Sequence, residues 1–334
     1  MNAIVSDQHR QLTTLAGWRR FAGEVPAVPE LLAEEVWAGL QDDKRLAYDE
    51  DRLDHHSRLL VIETAVICKV ITEGRRLSYL NRNAISGRCG LIVSGPAGTG
   101  KTTAVTQLGK MTEVMHHKRH PGSGGDIPVI YITAPPAATA KMIAVEFARF
   151  LGLPVARRLN ITDITEAVCG VCLDARTSLV CVDEIHNLNL ATRNGAEASD
   201  TLKYFSERIP ATFVYAGISV ERAGLLSGTR GEQIAGRFGM IRTGPFPRDA
   251  QWTSLIAALE YSLRLHRHVP GTLPGLDLYL HQRTGGSIGT LLRLIRSAAI
   301  QAILDGSERI TTQTLDTIDV DVAAETARRK NRSR

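Results

Sequence analysis

Residues Gly95-Pro96-Ala97-Gly98-Thr99-Gly100-Lys101-Thr102 follow directly on the apolar run Leu91-Ile92-Val93 and fill every fixed position of the pattern Gly-x-x-x-x-Gly-Lys-Ser/Thr. A chain with this string must build a buried strand, a tight glycine loop and a helix that opens near Lys101. Glycines let the backbone wrap closely enough for its N–H groups to face phosphate oxygens, and the helix adds its positive N-terminal end. In such a loop Lys101 reaches the terminal phosphates of a nucleoside triphosphate and the Thr102 hydroxyl ligands Mg²⁺. The residues from Gly95 through Thr103 are therefore the expected binding residues for ATP·Mg²⁺.

The 334 residues, 43% hydrophobic and 22% charged, supply apolar material for one large or two modest cores and exclude disorder as the main state. No stretch approaches the ~18 uninterrupted apolar residues of a membrane helix. The polar start Met1-Asn2-Ala3 lacks a secretory pattern, so a cytoplasmic protein is expected. Five cysteines, an odd number in apolar or helical contexts, suit reduced thiols better than a disulfide framework. The net charge of +5 is matched by Arg328, Arg329, Lys330, Arg332 and Arg334, with no acid between 328 and 334. The body is therefore neutral, and the tail reads as a solvated segment or as a grip on phosphate backbone. His116-His117-Lys118-Arg119-His120 reads as an exposed basic loop.

Residues 1–50 carry helical stretches around Trp18 and Trp37 without a chemical motif, and read as an N-terminal appendage. From Asp51 to about Leu80, Leu59, Ile62, Val66, Ile67 and Val70 follow helical spacing and predict one leading helix. Strand patterns at 90–94, 128–133, 178–183 and 211–216 then alternate with helical patterns at 101–115, 138–151, 161–176 and 197–208. This alternation predicts an α/β fold with a parallel sheet flanked by helices, and ligands at the carboxyl ends of the strands. After Pro247 the pattern is all helical, near 249–265, 274–283, 287–304 and 311–325. The expected domains are 51–247 for nucleotide binding, 248–325 for a helical lid and 326–334 for the basic tail.

Leu179-Val180-Cys181-Val182-Asp183-Glu184 is an apolar strand ending in two acids. Behind a phosphate loop, Asp183 is expected to complete the Mg²⁺ shell and Glu184 to orient or deprotonate the attacking water. His186 makes a string superficially like a helicase box, but no further helicase signature follows, so it reads as a loop histidine. Arg237, in Gly236-Arg237-Phe238 before the Met240-Ile241 strand pattern, is a candidate finger for a neighbouring subunit's γ-phosphate, and a surface arginine otherwise. Arg230 is the second candidate. Cys169-Gly170-Val171-Cys172 has metal spacing but lacks a second pair and falls on a helical pattern, so core thiols are expected.

With those residues in place, the chain from about Arg75 to Ile318 resembles AAA+ P-loop ATPases of the TniB/TnsC class, transposition regulators related to the IstB and MuB proteins. Beyond Gly95–Thr102 and Val182–Leu188, the resemblance is carried by Pro128-Val129-Ile130-Tyr131, by Pro135-Pro136 with Thr139-Ala140-Lys141, and by Phe150-Leu151-Gly152-Leu153-Pro154. Tyr215-Ala216-Gly217, Arg237-Phe238, Arg283-Thr284-Gly285-Gly286 and Leu294-Ile295 extend it. It implies ATP-dependent assembly of a homo-oligomer on double-stranded DNA, stimulation of a DDE transposase, and contact with a TniQ-like target selector. It also implies a sensor role for Ser219. The second sensor arginine falls at Gly289, which cannot serve, so Arg293 one turn on is the substitute and slow turnover is implied. Channel-facing DNA contacts fall on Lys118, Arg119, Thr139 and Lys141. The rival readings are a signalling or defence switch that ignores DNA, and a helicase loader of the IstB/DnaC kind.

Overall fold

Five short parallel strands carry one of two compact units in the computed structural model, which describes residues 11–156, 160–188, 192–221, 232, 235–322 and 325–326. They are β1 (Gly90–Ser94), β2 (Val129–Thr133), β3 (Leu179–Asp183), β4 (Thr212–Gly217) and β5 (Phe238–Arg242), in the order β2-β3-β4-β1-β5. Every residue of β1, β3 and β4 is buried, the environment that near-continuous apolar strands require when helices cover both faces. The strands read from the sequence agree to within one residue at each end. Because β4 lies between β1 and β3, its carboxyl end separates the phosphate loop from the acidic end of β3.

This first unit spans 1–24 and 65–243. Its helix α1 (Leu15–Gly23) is N-capped by Thr14 and plants Trp18 in the core. The Trp18 indole stacks on Tyr131 at 5.7 Å and donates to Glu113 Oε2 at 3.2 Å. Residues 11–24 are thus part of the α/β unit rather than an appendage, because one buried indole ties them to the sheet.

The second unit joins 25–64 to 244–334. Helices α2 (Glu34–Ala38) and α3 (Asp42–Ser57) belong with the C-terminal helices and not with the sheet. The reason is electrostatic as well as apolar. Fully buried Arg52 forks onto Glu308, with Nη1 2.7 Å from Oε2 and Nη2 2.8 Å from Oε1, and Nη2 also reaches Asp49 at 2.6 Å. The leading helix expected over 51–80 is two helices, α3 and α4 (Ala65–Asn81). Between them, exposed Leu59 and Val61 alternate with half-buried Leu60 and Ile62, the period of extended chain and not of helix.

In the second unit, α9 (Ala250–Tyr261), α10 (Thr272–Gly275), α11 (Asp277–Thr284) and α12 (Ile288–Leu304) bury Trp252, Ile256, Leu280, Leu291 and Leu294. The last predicted helix is shorter than expected, α13 (Thr312–Thr317), because the chain turns extended at Ile318, whose carbonyl accepts from Arg283 Nη2 at 2.7 Å. Among the described residues no single helix is long and apolar enough to cross a membrane.

Candidate nucleotide-binding site

The phosphate loop leaves β1 at Ser94 and has no room for a side chain at Gly95. A Cβ there would stand 2.2 Å from Thr243 Oγ1 and 2.3 Å from its carbonyl oxygen, so only glycine lets the loop pass the end of β5. Gly98 and Gly100 take φ of 72° and 84°, which curl the backbone into the first turn of α5 (Lys101–Arg119). No side chain caps that helix, so its first N–H groups remain directed at the loop. Thr99 braces the curl, with its hydroxyl 2.8 Å from Pro96 O and 2.6 Å from Thr243 Oγ1. Lys101 is buried and donates from Nζ to Pro96 O at 2.7 Å. Burial lowers its pKa, and the charges of Asp183 and Glu184 oppose that shift.

The two acids end β3. Asp183 is 2% exposed and accepts three hydrogen bonds: from Thr102 Oγ1 at 2.6 Å and Tyr131 OH at 2.9 Å on Oδ2, and from Glu184 N at 2.8 Å on Oδ1. Burial, then the neighbouring Asp183 charge, raises the Tyr131 pKa far above the ordinary phenol range, so the hydroxyl stays a donor. Thr102 and Asp183 thus present two hard oxygens side by side at the helix start, a donor set that suits Mg²⁺. The sequence gives Tyr131 no part in the acid cluster. Its hydroxyl reaches Asp183 because β2 and β3 run in register, with Thr133 opposite Asp183.

Glu184 adopts φ 55°, turning the chain from β3 into the short 3₁₀ turn Ile185–Asn187. That turn brings His186 Nε2 to 3.3 Å from Glu184 Oε2. The backbone N–H of Ile218 donates to His186 Nδ1 at 3.2 Å, which leaves the ring proton on Nε2, directed at Glu184. His186 is therefore a partner of the expected water-activating carboxylate and not merely a loop histidine. Ile218 sits beside Ser219, in the turn after β4, where Ser219 takes φ 43°. Val220 N donates to Ser94 Oγ at 3.0 Å, and that hydroxyl donates to Glu221 at 2.5 Å, fastening this turn to the last residue of β1.

The described candidates of the α/β unit outside this cluster are Arg237, Thr139, Lys141, Lys118 and Arg119, and Arg293 belongs to the helical unit. Arg237 immediately precedes β5, and its carbonyl accepts from Gly90 N at 3.1 Å. It thus stands at the amino end of the sheet, opposite its own Lys101. Its side chain is 43% exposed and 3.9 Å from Glu207. Arg230 and the tail Arg328–Arg334 lie outside the described residues. Arg293 is exposed on α12 and donates from Nη1 to Val320 O at 3.1 Å. Thr139 caps α6 (Ala140–Phe150), accepting from Met142 N at 3.3 Å, and Lys141 is exposed on that helix's first turn. Lys118 and Arg119 are not in a loop, for α5 continues through Arg119, as a basic last turn at a helix C-terminus favours. The 19-residue helix, about 28 Å long, separates them from the phosphate loop, while Thr139 and Lys141 follow the carboxyl end of β2. The structure does not bring these four DNA candidates together. Cys169 and Cys172 are buried in the core on α7 (Ile161–Asp174), the helix before α8 (Arg193–Arg208), and burial pushes their thiols up to about 11 and about 12.

Comparisons with known proteins bear on the fold. Residues 85–226 match a family model described as AAA domain. The sequence matches no curated protein. Among solved structures, the ORC1 protein of Aeropyrum pernix in complex with DNA superposes with a TM-score of 0.59 at 18% identity, over 77% of this chain and 65% of that one. The ORC2 protein of the same organism, as ADPNP-ADP complexes, gives 0.54 at 20% identity over 73% and 66%. Drosophila ORC bound to DNA gives 0.53 at 14% identity over 90% and 71%. The chain therefore spans just under two thirds of the length of each of the two archaeal proteins. A parallel five-stranded sheet flanked by helices, with a helical C-terminal region, is the AAA+ P-loop NTPase fold, and the chain carries an AAA-type P-loop ATPase domain.

Proposed function

We propose that this AAA-type domain makes the chain an ATP-driven, oligomerising, DNA-binding ATPase that regulates transposition, marking duplex target DNA and recruiting and activating a DDE transposase. The carrying observation is Asp183, joined at 2.6 Å to Thr102 at the mouth of the phosphate loop and followed at once by Glu184. In this reading Gly95–Thr103 cradle the triphosphate and Lys101 releases Pro96 O to meet the terminal phosphates. Thr102 and Asp183 hold Mg²⁺, which when bound neutralises phosphate charge and orients the leaving group. Glu184 takes the proton of the attacking water, with His186 holding its carboxylate in place. Ser219 senses the γ-phosphate from the end of β4, Arg237 acts on a neighbour's nucleotide, and Arg293 is the second sensor.

The DNA and transposition parts rest on the resemblance of Pro135-Pro136, Thr139-x-Lys141 and Phe150–Pro154 to the TniB/TnsC class. A fold shared with DNA-bound ORC structures accords with them. A TniQ-like selector is the further partner that this reading requires. Retention of the full chain on duplex DNA at physiological salt, measured with ATP, with ADP and without nucleotide, tests it. ATP-dependent retention, lost in Lys101→Ala, is the expected result. Nucleotide binding with no ATP-dependent DNA binding would favour the signalling switch instead.

A further inference from the structure

A cavity of about 770 Å³ opens in the α/β unit among α4, the last turns of α5, the end of α7 and the starts of β3 and β4. This is the amino end of the sheet, at the other end of α5 from the phosphate loop. Its basic lining residues are Arg75, Arg82, His116, Arg119, His120 and Arg176, and no Asp or Glu lines it. Four guanidiniums around one concavity in an otherwise neutral body need a reason. The nearby acid is Asp126, which takes His116 at 2.7 Å and lies 3.9 Å from Arg176. It leaves Arg75 and Arg82 without a carboxylate partner among the described residues. Tyr79 stands in the same wall, with Arg82 over its ring at 4.8 Å and Arg119 donating to its hydroxyl at 2.9 Å. Arg119, then the charges of Arg82 and Arg75, lowers the Tyr79 pKa, a report of the positive field at that wall. The helix C-terminus contributes only roughly half a negative charge, far less than the basic groups beside it.

We propose that this cavity is a second anion site, separate from the phosphate loop, which takes a small ligand bearing two or more phosphate groups. The volume lies in the range of about 300–1,000 Å³ typical of small-molecule sites. Guanidiniums lining walls reach a compact ligand that enters, whereas a duplex is convex and touches only a rim. Met111, Met115 and Leu173 give the cavity an apolar part for the body of such a ligand. The assignment does not rest on the transposition reading and stands or falls apart from it.

Inorganic tripolyphosphate is the probe, titrated calorimetrically into the full-length Lys101→Ala chain so that the phosphate loop is disabled. One equivalent should bind. Adding Arg75→Ala and Arg82→Ala should weaken it by about tenfold or more, the scale of one lost charge-assisted hydrogen bond. Both arginines are exposed, so the melting temperature should not move. The same pair of substitutions in the wild-type chain, read as the same weakening of one of two equivalents, covers the case in which Lys101→Ala unfolds. Unchanged affinity in the substituted chains overturns the proposal. So does a result in which the arginine pair weakens binding of a short blunt duplex but leaves tripolyphosphate binding intact.

Discussion

Glu184 and His186 form a unit that neither residue's identity alone announces. The φ of 55° at Glu184 swings its carboxylate out of the strand line, and the Ile218 N–H fixes which imidazole nitrogen faces it. Glu184→Gln keeps the shape and loses the base, so ATP binding should persist while phosphate release falls by about 10²-fold or more. Labelled-nucleotide binding and steady-state phosphate release together check this, and rapid hydrolysis by the variant would mean that another group activates water. His186→Ala should leave ATP affinity alone and lower kcat by up to about 10²-fold, because a freed carboxylate samples misplaced positions. An effect on affinity with kcat unchanged would reduce His186 to a structural role. The phosphate loop and the acid pair were legible because each position has a local backbone or charge reason. His186 was not, since its tautomer is set by an amide 32 residues away, and Tyr131 reaches Asp183 only through strand register.

Elements followed the sequence where one period dominates. The strands are buried on both faces and show as apolar runs, and α12 shows its stripe of Leu291, Leu294, Ile295, Ala298 and Ala302. Residues 51–80 mislead, because an extended segment with period-two burial sits between two helices and blends into their spacing. Residues 11–50 mislead as well, because nothing in Trp18 or Trp37 tells that the first packs in the core of the sheet and the second on His266 in the helical unit. The junction of loop and sheet can be tested at Gly95. Thr243 cannot retreat from an added methyl, since its N–H is bonded to Ser94 O at 2.8 Å within the β1–β5 junction. Gly95→Ala should cost about 1–3 kcal/mol in denaturant unfolding, the scale of overpacking, and weaken ATP binding with it. Gly239→Ala on β5, where a Cβ meets nothing within 4 Å, is the control and should stay within about 0.5 kcal/mol of wild type. Equal losses at the two glycines would show that contact with Thr243 does not set the cost.

For the molecule as a whole, sensitivity to acid has an identifiable source in the helical unit. Burial, then the charges of His55, Arg52, Arg264 and Arg296, lowers the His56 pKa from 6.5 to about 3, and its Nε2 accepts from Arg264 N at 3.2 Å. Below pH 6.5 the unfolded chain takes a proton that the folded chain refuses. The contribution is therefore complete above pH 6.5 and falls as the pH drops toward 3, by up to about 1.4 kcal/mol per unit. Melting curves from pH 8 to pH 5 should slope less in His56→Gln than in wild type, and parallel slopes would assign the loss elsewhere. Assembly offers a test of a different kind. Arg237 stands at the amino end of the sheet, opposite its own Lys101, so it can serve a nucleotide only on another subunit. Arg237→Ala and Glu184→Gln should each be nearly inactive alone. Mixed, some interfaces join an intact Glu184 from the first chain to an intact Arg237 from the second, and ATP hydrolysis should return. Glu184→Gln retains nucleotide, so the partner remains competent to assemble. A mixture that cross-links as hetero-oligomers and still hydrolyses no ATP would remove Arg237 from the site, because every other residue proposed for catalysis is then present in the same interfaces.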